Sequence, residues 1–206
     1  QPLSDLSVGN HTLYVKAIDL AGNISEEGSR TVEIFQAQLT LTVNNYGQVC
    51  FNGVSWASSA TQNITPGILY SIYARANTGY IFDHWEVLNG SAEISNIYSA
   101  ATTASCDPNA VIRAVFRCPQ LTVTYHPINY LYETEKVTIC PGDSESFTTV
   151  PGYAPPCPPG YSCGYYVFTH WNTKSGNPTI SNTSSRSITV SLNGQDASIE
   201  AIYQVE

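Results

Sequence analysis

The phrase Tyr80-Ile-Phe-Asp-His-Trp85 returns 86 residues later as Tyr166-Val-Phe-Thr-His-Trp171, so an imidazole set among aromatic rings occurs twice. Such a histidine can hold a metal or move a proton, but each task needs partners at ligand or hydrogen-bond spacing. Neither His84 nor His170 has a second His or a Cys close by in sequence. The acidic pairs Asp83/Glu86 and Asp143/Glu145 come nearest to the two carboxylates of a glycosidase. Each pair lies on a short local stretch without a cleft signal, as solvated strand edges and turns do. No Gly-x-Ser-x-Gly elbow, Gly-rich phosphate loop or EF-hand spacing occurs, so no cofactor is expected. The chain reads as non-catalytic, and the repeated Phe82, Trp85, Phe168 and Trp171 read as one core built twice.

The six cysteines form no CxxC pair and have no histidine cluster beside them, which argues against zinc. An even number in a hydroxyl-rich chain instead predicts three disulfides and an oxidising, extracellular setting. Six cysteines allow fifteen pairings. Leu121–Tyr125 and Lys136–Ile139 look like hairpin arms folded around Ile128–Tyr132, a register that sets Cys118 opposite Cys140. Cys157 and Cys163 bracket a Pro-Pro-Gly-Tyr-Ser loop, which leaves Cys50 with Cys106.

Only 12% of the residues are charged, and the net charge is −8 with eight scattered basic residues, so no phosphate-binding patch for nucleic acid is expected. No apolar run is long enough to span a bilayer, so no membrane insertion is expected in this segment. Secretory, lipidation and sorting signals are absent from this numbering; they are expected to have been removed or to lie outside it. Sequons at Asn10, Asn23, Asn63, Asn89 and Asn182 are possible glycosylation sites, although turn-forming Asn beside strand-forming Thr explains them equally well.

The elements that must carry these residues are strands. Val, Ile, Thr and Tyr are abundant, and no long stretch has apolar residues at helical spacing, so the class is all-β. Residues 1–36 read as a hairpin with Leu13, Val15 and Ala17 on one face, a turn at Asp19-Leu-Ala-Gly-Asn23, and a return over Arg30–Phe35. Asp19 and Asn23 offer oxygens to a calcium ion, but the turn alone accounts for both. Residues 37–117 and 118–206 follow one plan. Each has an opening strand (Leu39–Val43, Leu121–Tyr125), a Pro-Gly turn (Pro66-Gly67, Pro141-Gly142) and a new strand, then the aromatic phrase, a variable loop and a closing strand (Ile112–Phe116, Ile199–Tyr203).

The stretch "VGNHTLYVKAIDLAGNIS" resembles the last two strands of bacterial immunoglobulin-like surface domains. Gly79-Tyr-Ile-Phe-Asp-His-Trp85 with Ile112-Arg-Ala-Val-Phe116, and their second copies, resemble the divergent InlB-type B-repeat found in tandem on bacterial surface proteins. The six cysteines and the Pro-rich insertion at 151–163 depart from that pattern. The resemblance implies the C-terminal hairpin of an immunoglobulin-like sandwich followed by two small tandem β-modules, serving as a stalk or spacer on a cell surface. An immunoglobulin-like sandwich needs about seven strands, so this hairpin is incomplete. Either upstream strands complete it or a neighbouring subunit of the same assembly does, which would make a filament. Two other readings stand beside the spacer. In one, an adhesin module binds polysaccharide or a host partner through Tyr153, Tyr161, Tyr165 and Tyr166. In the other, the chain is the non-catalytic tail of a secreted hydrolase.

Overall fold

Short runs of β-branched and aromatic residues, broken by Gly, Pro and Asn, become strands along the whole chain. The computed structural model describes residues 7–34, 36–51, 53–126, 133–161 and 163–206, and every regular element among them is a β-strand. The fold is all-β.

Strands β1 (Gly9–Val15) and β2 (Gly28–Ile34) form an antiparallel pair with Gly9 opposite Ile34 and Val15 opposite Gly28. The first strand stops two residues short of Ala17, whose N–H is taken by the Ser25 hydroxyl instead. His11, Leu13, Val32 and Ile34 are half-covered, whereas Tyr14, Val15, Ile18, Leu20 and Ile24 are exposed. Among the described residues the hairpin has no substantial packing on the rest of the chain.

The next eight strands are β3 (Ala37–Val43), β4 (Gly47–Phe51), β5 (Ser59–Ile64), β6 (Tyr70–Ala76), β7 (Ile81–Asn89), β8 (Ala92–Ile94), β9 (Ala101–Cys106) and β10 (Ala110–Arg117). They make two sheets, ordered β5-β3-β10-β7 and β4-β6-β9-β8. One core lies between them, built on Leu39, Leu41, Ile72, Trp85, Ile112 and Phe116. The period-2 rule is plainest on β10, where Ala110, Ile112, Ala114 and Phe116 are buried and the residues between them are not.

The remaining strands are β11 (Gln120–Tyr125), β12 (Glu133–Thr138), β13 (Glu145–Thr148), β14 (Gly152–Tyr153), β15 (Tyr166–Ser175), β16 (Thr179–Ile180), β17 (Ser187–Ser191) and β18 (Ala197–Val205). Their sheets run β12-β11-β18-β15-β14 and β13-β17-β16 around a second core of Leu121, Val123, Ile139, Trp171, Val190 and Ile199. The order repeats that of the first sandwich, with β11, β18 and β15 in the places of β3, β10 and β7. In both, the opening and closing strands are parallel neighbours, Leu39 beside Ala110 and Leu121 beside Ala197. The Pro-rich insertion changes the outline by adding β14, which pairs Gly152 with Val167 at the sheet edge. The predicted hairpin forms from β11 and β12 with Leu121 opposite Val137; its tip, Ile128–Tyr132, lies outside the described residues.

Candidate functional site

The repeated aromatic phrase is built the same way twice. Phe82 and Trp85 would face opposite sides of a regular strand. In the register of β7 on β10, Phe82 pairs with Phe116 and His84 with Val115, so Asp83 is the extra residue of a bulge. Thr169 plays that part in β15, between Phe168 opposite Tyr203 and His170 opposite Ile202. The bulge turns Phe and Trp onto one core, with ring centroids 5.7 Å apart in the first sandwich and 6.2 Å in the second. Trp85 Nε1 donates to the Ser99 carbonyl at 2.9 Å, and Trp171 Nε1 to the Ser185 carbonyl at 3.0 Å. The loop that presents each carbonyl is an Asx turn, in which Asn96 Oδ1 accepts from Tyr98 N and Asn182 Oδ1 from Ser184 N. Every one of these atoms recurs 86 residues on.

Around this core the polar groups are engaged locally. His84 Nδ1 lies 2.8 Å from Asp83 Oδ2, and His170 Nδ1 lies 3.0 Å from the Thr169 hydroxyl. Asp83 and Glu86 do not face each other across a cleft; Arg117 takes the first at 3.1 Å and Arg113 the second at 2.6 Å. Asp143 and Glu145 are exposed beside a turn in which Asp143 N donates to the Cys140 carbonyl. The Asp19 turn holds itself together: Asp19 Oδ1 accepts from Ala21 N and Asn23 N, and Asn23 Nδ2 donates to Asp19 Oδ2 at 2.8 Å. The Asn23 amide and these N–H groups keep the Asp19 carboxyl below the usual carboxylate range. Among the described residues no group of three or more His, Cys, Asp or Glu is placed to hold a metal ion.

The four tyrosines singled out for ligand binding divide into two pairs. Tyr153 stacks on His126 at 4.1 Å and on Tyr166 at 5.2 Å, with Tyr203 edge-on, so its ring faces are occupied. Burial raises its phenol pKa. Tyr161 and Tyr165 stay exposed, Tyr161 at 76% beside the Cys157–Cys163 disulfide.

Cys118 is bonded to Cys140 and Cys157 to Cys163, whereas Cys50 and Cys106 are free and buried, which corrects the third expected pair. The sheet explains why. Cys50 pairs across to Tyr73 of β6, whereas Cys106 lies beyond the Tyr70–Ala104 pair on β6's other side. Two strand spacings and about five residues of rise put their α-carbons about 19 Å apart, where a disulfide needs less than about 7 Å. Cys106 also points into the first core, while Cys50 follows the inward Val49 and points the other way. Residues 91–93 and 105–107, with Gly67, line a pocket of about 250 Å³, and burial pushes up the pKa of the Cys106 thiol. All five sequon asparagines are exposed, but Asn23 and Asn182 are committed to their turns through the side-chain amide and carbonyl respectively.

One cluster has no signature in the sequence. The Arg117 guanidinium, at the end of β10, reaches Asp83 of its own sandwich and both carboxylate oxygens of Asp196 in the next, at 2.8 and 2.7 Å. Asp196 also accepts from Gln120 N at 2.7 Å. Paired with Arg117, Asp196 has its pKa lowered, and Arg117 has its own raised. The partners lie 79 residues apart, and no local motif marks either one.

Residues 38–118 match the family model of the divergent InlB B-repeat domain, which covers the first sandwich and the turn into the second. The match supports a module of a bacterial surface protein, and the two disulfides fit an extracellular or surface location. Neither the curated proteins nor the solved structures compared with the chain gave a match. No helix among the described residues is long and apolar enough to cross a membrane.

Proposed function

We propose that this chain is a non-catalytic spacer of an extracellular bacterial surface protein, made of two B-repeat-like modules, 37–117 and 118–206, behind the end of an immunoglobulin-like domain at 1–36. The observation that carries the reading is the atom-for-atom repetition around Trp85 and Trp171: the indole N–H groups and the Asn side chains of the loops are spent on hydrogen bonds that hold two cores. Its partners are then the neighbouring domains or subunits of the same assembly. The β1–β2 hairpin, with exposed Tyr14, Val15 and Ile18, supplies a surface that a neighbour's strands can complete, as in a filament. A native mass showing only monomer in material from the natural source would overturn the filament form.

A second reading, a carbohydrate- or host-binding adhesin, draws on one observation: Tyr161 and Tyr165 are exposed on or beside a loop stiffened by four prolines and a disulfide. Passing the purified chain over an array of bacterial and host polysaccharides separates the two. The spacer expects no retention. Retention abolished by Tyr161→Ala and Tyr165→Ala overturns it in favour of the adhesin.

A further inference from the structure

Domains joined by a short segment move relative to one another unless their interface is large or specifically tied. Here the tie is specific. Only Cys118 and Pro119 separate β10 from β11, and three contacts surround them. Arg117 bridges Asp83 and Asp196 in the bidentate geometry that fixes orientation as well as distance. Cys118, in the connection itself, is bonded to Cys140, which places Pro141 against the turn of the first sandwich. There Gly79 has φ +87°, and a Cβ on it would stand 2.6 Å from Pro141 Cγ, so only glycine lets the ring this close. Gly194, just before β18, comes down on the same Gly79 backbone.

The chain supplies its own control. By strand register, the second sandwich has Gln204 where the first has Arg117, and Thr169 where it has Asp83. The first has Asn109 where the second has Asp196, and Asn109 Oδ1 accepts from Gln38 N as Asp196 Oδ1 does from Gln120 N. The module needs only an amide or carboxylate at that place to cap the opening strand. The charges on both sides occur where the two sandwiches meet, and neutral residues stand at the outer ends.

We propose that residues 117–120 are a fixed joint that sets one angle between the sandwiches, locked by Arg117 between Asp83 and Asp196 and by the disulfide-tethered Pro141 on Gly79. An exposed ion pair alone contributes little to stability, so the lock acts on orientation rather than on the folding of either module. It holds whether the chain is a spacer or an adhesin.

Residual dipolar couplings of the isotopically labelled whole chain read this directly. The wild type should fit one alignment tensor across both sandwiches. Combining Arg117→Gln with Asp196→Asn installs the residues that the sister positions already carry. The couplings within each sandwich should then still fit its own fold while the common tensor is lost. A wild type that already needs two tensors overturns the proposal, and so does a Gln/Asn double variant that keeps one.

Discussion

Removing the Cys118–Cys140 bond by Cys118→Ser with Cys140→Ser tests how the second sandwich is held together. The bond closes a loop with a sequence separation of 22. In the chain-entropy model such a cross-link stabilises the folded state by about 3.4 kcal/mol at 25 °C. Both cysteines are only half-buried and outside the second core, so lost packing adds little. The Cys157–Cys163 bond closes a separation of 6 and should contribute only about 2.3 kcal/mol by the same relation. Urea unfolding of the two double-serine variants, followed by tryptophan fluorescence, measures both losses. The prediction is that Cys118/Cys140 costs more by about 1 kcal/mol, and that its m-value rises because the uncross-linked chain expands further. A smaller loss for Cys118/Cys140 than for Cys157/Cys163 would refute the assignment of its role to loop closure.

Two further expectations concern the repeated core and the joint. Trp85→Phe and Trp171→Phe each remove an indole N–H that satisfies a serine carbonyl, and each leaves a smaller ring in a full core. Each should lose between about 2 and 4 kcal/mol by differential scanning calorimetry, and the two losses should agree within about 1 kcal/mol. A harmless substitution at one site alone would break the equivalence. Asp196 has a folded pKa below its ordinary 3.8, so what it contributes is present above that value and fades as pH falls through the folded one. The common alignment tensor should therefore persist from neutral pH down to about 3.8 and loosen only below. Loosening at pH 5 to 6 would implicate a histidine instead.

What the sequence made legible was whatever repeats locally or alternates. The β11–β12 register, and with it the opposition of Cys118 and Cys140, follows from alternation on either side of one hairpin. Phe82 and Trp85 were expected on one core, and the bulge at Asp83 is what turns both rings onto it. Cys50 and Cys106 were paired by elimination, which knows nothing of the strand that comes between them or of the face each occupies. Of the four tyrosines, Tyr153 is held between His126 and Tyr203, which come from distant parts of the chain, and Tyr166 stacks on Tyr153. Arg117, Asp83 and Asp196 were invisible for a like reason: each is an ordinary charged residue at a strand end until the fold brings all three together.

The parallel pairing of the first and last strands of each sandwich has a mechanical side. The chain enters the first sandwich at the start of β3 and leaves at the far end of β10, and these two strands are adjacent, with Leu39 beside Ala110 and Val43 beside Ala114. β11 and β18 repeat the arrangement. Tension along the chain therefore pulls each pair in opposite directions along its length. The interstrand hydrogen bonds meet such a load together, in shear, whereas a hairpin pulled from its open end gives way one rung at a time. The β1–β2 pair, whose ends Val8 and Gln36 lie on the same side, is loaded in that weaker way. Under tension the hairpin is the part that opens first, and the two sandwiches behind it keep their length.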